Sequence, residues 1–165
     1  PDHQYRVHLV LRRSLSRTPA MANQYCTFRL AGMLFGVDVL NVQEIIQFQE
    51  MTEVPLSNEV VRGLVNLRGQ IVTALDLHKR IDVIGHGEIQ TQAEPINIVL
   101  CTEGGAVSLL VDSIGDVLTL SEEIEEHPPA TMNPRTRELV LKVCKLEHEL
   151  LLILDAEKTV DLSVA

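Results

Sequence analysis

The sequence contains no tryptophan, and its few phenylalanines and tyrosines (Tyr5, Tyr25, Phe28, Phe35, Phe48) all precede residue 49. Base-stacking platforms and carbohydrate clefts are built from aromatic faces, so both classes of function are disfavoured. Basic residues are also scarce, with 14 lysines and arginines against 23 acids and a formal net charge of -9. Residues 1–20 hold four of the arginines (Arg6, Arg12, Arg13, Arg17) against Asp2 alone, so the remainder has 10 bases against 22 acids. An acidic body without a basic stripe repels phosphate backbones, which argues against nucleic acid as a partner. No uncharged stretch approaches the ~20 apolar residues of a membrane-spanning helix, so direct insertion into a membrane is not expected. The three cysteines, Cys26, Cys101 and Cys144, are odd in number, widely spaced and set among apolar neighbours. They are expected to be reduced, buried thiols of a cytoplasmic protein.

What is present is a globular balance: 45% apolar and 22% charged residues over 165 positions, enough for one domain or two small subdomains sharing a core. Residues 1–20 differ from the rest in charge sign, and their apolar run from Val7 to Leu11 is interrupted by His8. Arginines follow that run instead of preceding it, so it fails as a secretory signal. Met21 is expected to be the natural start, with 1–20 a non-native or accessory leader and 21–162 the domain proper.

From Tyr25 onward, short apolar runs rich in valine and isoleucine are broken by Gly, Pro, Asn or Asp every eight to twelve residues. This pattern predicts half-buried strands. Tyr25–Leu30 and Leu34–Val39 flank Ala31-Gly32-Met33 and predict a hairpin with Gly32 at a positive-φ position. Val42–Phe48 is a third run, and Ser57 is a candidate cap for one helical turn through Val61. The stretch 61–75 predicts strand, a tight turn at Asn66–Gly69, and strand. Asp76 suits the cap of a short helix. Residues 85–95 are polar, Gly-bearing and closed by Pro95, the best candidate for a subdomain junction. Ile96–Thr102 and Ala106–Val111 predict a second hairpin around Glu103-Gly104-Gly105, and Gly115–Leu120 a further strand. Ser121–Glu126 reads as an acidic, solvated turn, and His127 to Pro134 as a loop. Residues 135–154 suit either a helix or two strands, and Asp155 caps a closing helix through Leu162. No long amphipathic helix separates the strands, so a parallel βαβ sheet is excluded in favour of an all-β fold with a few short helices.

The search for chemistry finds little. Three runs end in an aspartate (Leu75-Asp76, Val111-Asp112, Leu154-Asp155), and carboxylates at strand ends can hold Mg²⁺ or accept a phosphoryl group. A Mg-dependent phosphoacceptor or hydrolase using Asp76, Asp112 and Asp155 is therefore the enzymatic alternative. The competing reading, in which each aspartate caps the turn or helix after its strand, is the stronger. His78, His86, His127 and His148 show no metal-ligand spacing, and the sequence has neither a Gly-x-Ser-x-Gly elbow nor a phosphate-binding loop. No cofactor is expected. An SH3-like module for Pro-rich peptides is a further alternative, weakened by the missing aromatics. That leaves Arg68 at a hairpin tip and Glu44 inside an apolar strand. They are either two solvent-facing charges or an oriented recognition pair.

Several segments appear in a familiar order: Phe28-Arg29-Leu30, Phe35-Gly36-Val37-Asp38, Val42-Gln43-Glu44-Ile45, Val54-Pro55, Arg62-Gly63-Leu64-Val65-Asn66-Leu67-Arg68-Gly69, and Leu75-Asp76-Leu77. They are followed by Ala106 through Asp112, Gly115-Asp116-Val117-Leu118 and Leu151-Leu152-Ile153-Leu154. This series, running from about Tyr25 to Val160, resembles the CheW family, the chemotaxis coupling proteins of bacteria. Its most specific part is the Asn-Leu-Arg-Gly turn between two apolar strands, followed by Leu-Asp-Leu. The resemblance implies two packed five-stranded SH3-like β-barrels, with 135–154 resolved as strands. It also implies a non-enzymatic cytoplasmic adaptor joining a CheA-type histidine kinase, through its regulatory domain, to the cytoplasmic tip of methyl-accepting chemoreceptors in membrane-associated arrays. Matched motif by motif, Val42, Glu44, Gly63 and Arg68 fall at positions of receptor and partner contact. The related CheV proteins carry a fused receiver domain and are disfavoured by length.

Overall fold

The computed structural model describes residues 22–81, 94–121 and 124–163. Eleven strands are found among them: β1 (Ala22–Leu30), β2 (Met33–Asp38), β3 (Val42–Ile46), β4 (Val61–Leu67), β5 (Gln70–Asp76), β6 (Ile96–Thr102), β7 (Gly105–Val111), β8 (Ser113–Ser121), β9 (Glu125–Glu126), β10 (Val140–Lys145) and β11 (Leu150–Leu154). A 3₁₀ turn (Val39–Asn41) and three short helices, α1 (Leu77–Arg80), α2 (Pro134–Leu139) and α3 (Ala156–Val160), punctuate them. The strands form two sheets, six-stranded in the order β8-β1-β2-β11-β10-β9 and five-stranded in the order β3-β6-β7-β5-β4. Pairing is antiparallel except for β2 with β11 and β5 with β7. The mostly-β expectation with few short helices holds, and the sixth strand is the two-residue β9.

Local sequence explains the hairpins. The β1–β2 and β4–β5 connections are two-residue turns, Ala31-Gly32 and Arg68-Gly69, and all four residues have positive φ (51°, 78°, 54° and 87°). Two consecutive positive φ values define the turn whose twist matches the flanking strands, and glycine meets half of that demand without strain. In the second turn the Asn66 side chain accepts a hydrogen bond from the Gly69 N–H at 2.9 Å, fixing the loop from within.

Alternation along the strands sorts side chains into three clusters. The largest is shared by both sheets: Phe28, Phe35, Leu152 and Leu154 from the six-stranded sheet meet Leu75, Ile98, Leu100 and Leu109 from the five-stranded one. Phe28 and Phe35 face each other across β1 and β2, with ring centroids 5.8 Å apart and both rings fully buried. A second cluster (Tyr25, Leu34, Leu120, Cys144, Leu151, Ile153) belongs to the six-stranded sheet alone. A third and smaller one (Val65, Ala74, Leu110, with Met51 and Leu67 against it) belongs to the five-stranded sheet. The chain crosses between sheets through the 3₁₀ turn after β2 and through Asp112 after β7. Arg80 at the end of α1 donates to the carbonyls of Lys158, Thr159 and Asp161, tying α1 to the C-terminal end of α3.

Several expectations are corrected. Ser57 caps no helix; its hydroxyl instead donates to the Val54 carbonyl at 2.8 Å, closing a turn. Part of the expected acidic turn is strand β9, whose Glu125 and Glu126 pair with Lys142 and Lys145 on β10 (2.8 and 3.0 Å). Pro134 opens helix α2 instead of ending a loop, since Asn133 caps it and proline at the first position loses no needed hydrogen bond. Cys26 and Cys144 are buried as expected, but Cys101 is exposed, because alternation along β6 turns it away from the shared core. Burial, and secondarily the nearby Asp38 charge, push the Cys26 thiol up to about 11; burial likewise raises Cys144. The proposed leader and most of the 85–95 junction lie outside the described residues. Strands on either side of that junction, β5 and β7, share one sheet.

Candidate functional site

Glu44 and Arg68, 24 residues apart, meet. Glu44 lies on β3, where one extra residue bulges the strand between Val42 and Glu44 against β6. Arg68 sits at the β4–β5 tip, its backbone in the left-handed region. Strands β3 and β4 are the two outermost strands of the five-stranded sheet. Laid flat, four inter-strand spacings of ~4.8 Å would hold them roughly 19 Å apart. Yet Arg68 Nη2 lies 3.0 Å from Glu44 Oε2. The sheet must therefore curl strongly, and the ion pair spans its two edges. The partners are unequal: the Arg68 side chain is 77% exposed and that of Glu44 only 14%. Such a pair contributes ~0–1 kcal/mol to folding. It sets an exposed, planar donor over a nearly buried carboxylate that orients it.

The other two residues singled out from the sequence are placed differently. Val42, 7% exposed, packs into the shared core one turn of the pleat from Glu44. Gly63 is buried on β4, and a Cβ built there would lie 2.8 Å from the Thr52 carbonyl oxygen and 3.0 Å from Met51 Cβ. The absence of a side chain lets Thr52 pair with Leu64 through two backbone hydrogen bonds (2.9 and 2.8 Å), so the β3–β4 connection lies down on the sheet. Val42 and Gly63 thus shape the platform, while Glu44 and Arg68 present charge on it. Sequence reasoning missed an exposed apolar residue beside the Arg68 turn: Ile71, opposite Asn66 across the hairpin, is 60% exposed. The only signal was an apolar residue on the outward phase of an alternating strand.

The three aspartates of the enzymatic alternative are engaged in structural bonds. Asp76 and Asp155 cap α1 and α3, accepting from the backbone N–H of Lys79 and Lys158. Asp112 accepts from the Ala31 N–H at 2.8 Å and pairs with His78 Nε2 at 2.7 Å, joining the β1–β2 turn to α1. His127 and His148 are exposed, and His86 lies outside the described residues. Among the described residues no cluster of three or more His, Cys, Asp or Glu side chains is arranged to hold a metal ion, and no helix is long and apolar enough to cross a membrane.

Comparison with known proteins agrees on one family. The profile described as "CheW-like domain" matches residues 24–163. The chain is 28% identical over 148 residues to the chemotaxis protein CheW of Treponema pallidum, covering 86% of each chain. It is 29% identical to that of Bacillus subtilis, covering 81% of this chain and 84% of the other. The crystal structure of the scaffolding protein TtCheW from Thermoanaerobacter tengcongensis superposes with a TM-score of 0.73 at 26% identity, over 88% of this chain and 92% of that one.

Proposed function

The chain belongs to the CheW-like domain family, and from that membership we propose that it couples a CheA-type histidine kinase to methyl-accepting chemoreceptors, with the Glu44–Arg68 pair at the receptor contact. It is a chemotaxis scaffold protein, not an enzyme. The observation that carries the finer reading is the meeting of Glu44 and Arg68 across the two edges of the curled sheet. A guanidinium 77% exposed and already oriented by a fixed carboxylate is suited to reach a polar group on a partner, because part of its rotamer entropy has been lost before binding. In this reading Val42 and Gly63 act indirectly, Val42 by setting the β3 bulge against the core and Gly63 by letting the β3–β4 connection lie flat. The protein would work in the cytoplasm, at arrays of membrane-bound receptors.

The test is calorimetric titration of the chain with the regulatory domain of its own organism's chemotaxis kinase. Saturable binding near micromolar, roughly -8 kcal/mol, is expected. Absence of binding with both partners folded contradicts the coupling role.

A further inference from the structure

Leaving aside the two-residue β9, the two sheets repeat one plan. The orders β8-β1-β2-β11-β10 and β3-β6-β7-β5-β4 correspond strand for strand. In each, one pair is parallel, β2 with β11 or β7 with β5, and the other three pairs are antiparallel. Each also runs into a short helix capped by an aspartate: β5 through Asp76 into α1, and β11 through Asp155 into α3. The units differ in how the chain supplies them. One is the single stretch from β3 to β7, whereas the other takes β1 and β2 from the beginning of the described residues and β8 to α3 from their end. Each helix reaches across to a hairpin turn of the opposite unit. On α1, His78 Nε2 pairs with Asp112 Oδ1 at 2.7 Å, and Asp112 Oδ2 accepts from the Ala31 N–H in the β1–β2 turn at 2.8 Å. On α3, Glu157 Oε1 accepts from the Glu103 N–H in the β6–β7 turn at 3.0 Å.

Arg80 pins the two helices to each other. Its guanidinium donates to the carbonyls of Lys158, Thr159 and Asp161, each at 3.0 Å. Carbonyls at the end of a helix have no partners within it, and a cation there meets the negative end of the helix dipole. Helices of four and five residues do not stand alone in water, so α1 and α3 persist only where they are packed. Both border the shared core. Leu77 and Ile81 from the α1 segment and Ala156 and Thr159 from α3 are buried, with Val160 and Leu162 packed against the same core. Counted from the capping aspartate, the position in α3 that corresponds to Arg80 is Thr159. Its hydroxyl turns back to the Asp155 carbonyl at 2.6 Å. The pin therefore comes from α1 alone.

We infer that α1 and α3 form a reciprocal clasp, pinned by Arg80, that sets the angle between the two sheets. Apolar burial in the shared core is non-directional, whereas a planar guanidinium spread over three carbonyls admits one register between the helices. In the coupling role proposed above, a fixed angle holds partners bound on the two sheets in a constant relation; the clasp itself does not depend on that role. The experiment places nitroxide labels on Cys101, exposed on the five-stranded sheet, and on a Leu141→Cys substitution, exposed on the six-stranded one. Cys26 and Cys144 are buried and stay unlabelled. Pulsed electron spin resonance then reads the separation of the labels, after circular dichroism has checked folding. The expected result is one narrow separation with Arg80 in place, a broadened or displaced one in Arg80→Met, and an intermediate one in Arg80→Lys, which keeps the charge without the planar fan. Amide exchange at Thr159 and Asp161 should rise about tenfold or more in Arg80→Met, as for lost hydrogen bonds to a charged group. Arg29→Met, which cuts the Arg29–Glu149 ion pair inside the six-stranded sheet, should leave the separation unchanged. If Arg80→Met keeps the original separation, even with faster exchange, Arg80 is only a cap on α3 and the clasp is overturned. The clasp is equally overturned if Arg29→Met broadens the separation as much. Should Arg80→Met fail to fold, Arg80→Lys decides, and an unchanged separation there refutes the clasp.

Discussion

The two sheets differ in what they keep for themselves. The six-stranded sheet has a private core of six buried residues, including Tyr25, Leu151 and Ile153. Its surface is cross-braced by the two-pronged Arg29–Glu149 pair (2.6 and 2.7 Å) and by Lys142, which bonds Glu125 and lies over the Tyr25 ring. Among the described residues, the five-stranded sheet's separate cluster is smaller, Val65, Ala74 and Leu110, with Met51 from a loop packed against it. That same sheet carries the oriented ion pair and the exposed Ile71. The difference is one of filling: the six-stranded sheet packs the larger separate cluster, and the five-stranded sheet carries the ion pair that the proposed reading assigns to binding, while each exposes large apolar residues, Leu141 and Leu150 on the first and Ile71 on the second. Interaction surfaces cannot all be packed away, and a shared core lets the lightly filled sheet borrow order from its neighbour.

The comparison breaks if the two private cores prove equally important. Leu151→Ala should cost about 4 kcal/mol and Leu110→Ala about 2 kcal/mol, opposite ends of the range for buried leucine truncation. Urea denaturation of both variants checks this, and equal losses would refute the asymmetry. Next in size is Gly63→Ala, whose added methyl meets the Thr52 carbonyl at 2.8 Å. A loss of about 1–3 kcal/mol is expected, with amide exchange rising at Thr52 and Leu64, whose paired hydrogen bonds would part.

The smallest effect sharpens the account of the bracing. Glu149 is held below its ordinary value of 4.5 chiefly by its hydrogen bonds from Arg29. A carboxylate whose folded-state pKa is depressed adds stability above its unfolded value and loses it as pH falls through the folded one. Thermal stability should therefore decline slightly more below pH 4.5 in the wild type than in Glu149→Gln. Parallel melting curves across that range would contradict the bracing.

Much of the fold was legible because its signals are local. Ala31-Gly32 and Arg68-Gly69 mark their turns, valine and isoleucine mark the strands, and Asp76 and Asp155 mark two caps. Pro134 was misread because Asn-Pro opens a helix as readily as it closes a loop, and the choice depends on what Leu139 packs against. The exposure of Cys101 depends on which face of β6 runs out of cover, a tertiary fact. The site was half legible. Arg68 and Glu44 stood out as charges among apolar neighbours, but their meeting requires a curl of the whole sheet that no short stretch encodes.

The most direct measurement is the affinity of a receptor-tip fragment for the wild type and for Arg68→Glu, with circular dichroism to confirm the fold. Stability should change by under ~1 kcal/mol, as for an exposed pair. Receptor binding should weaken by ~2–5 kcal/mol if Arg68 is buried and hydrogen-bonded in the contact. Native dichroism with unchanged receptor affinity would contradict the claim that the five-stranded sheet presents the Glu44–Arg68 pair for recognition.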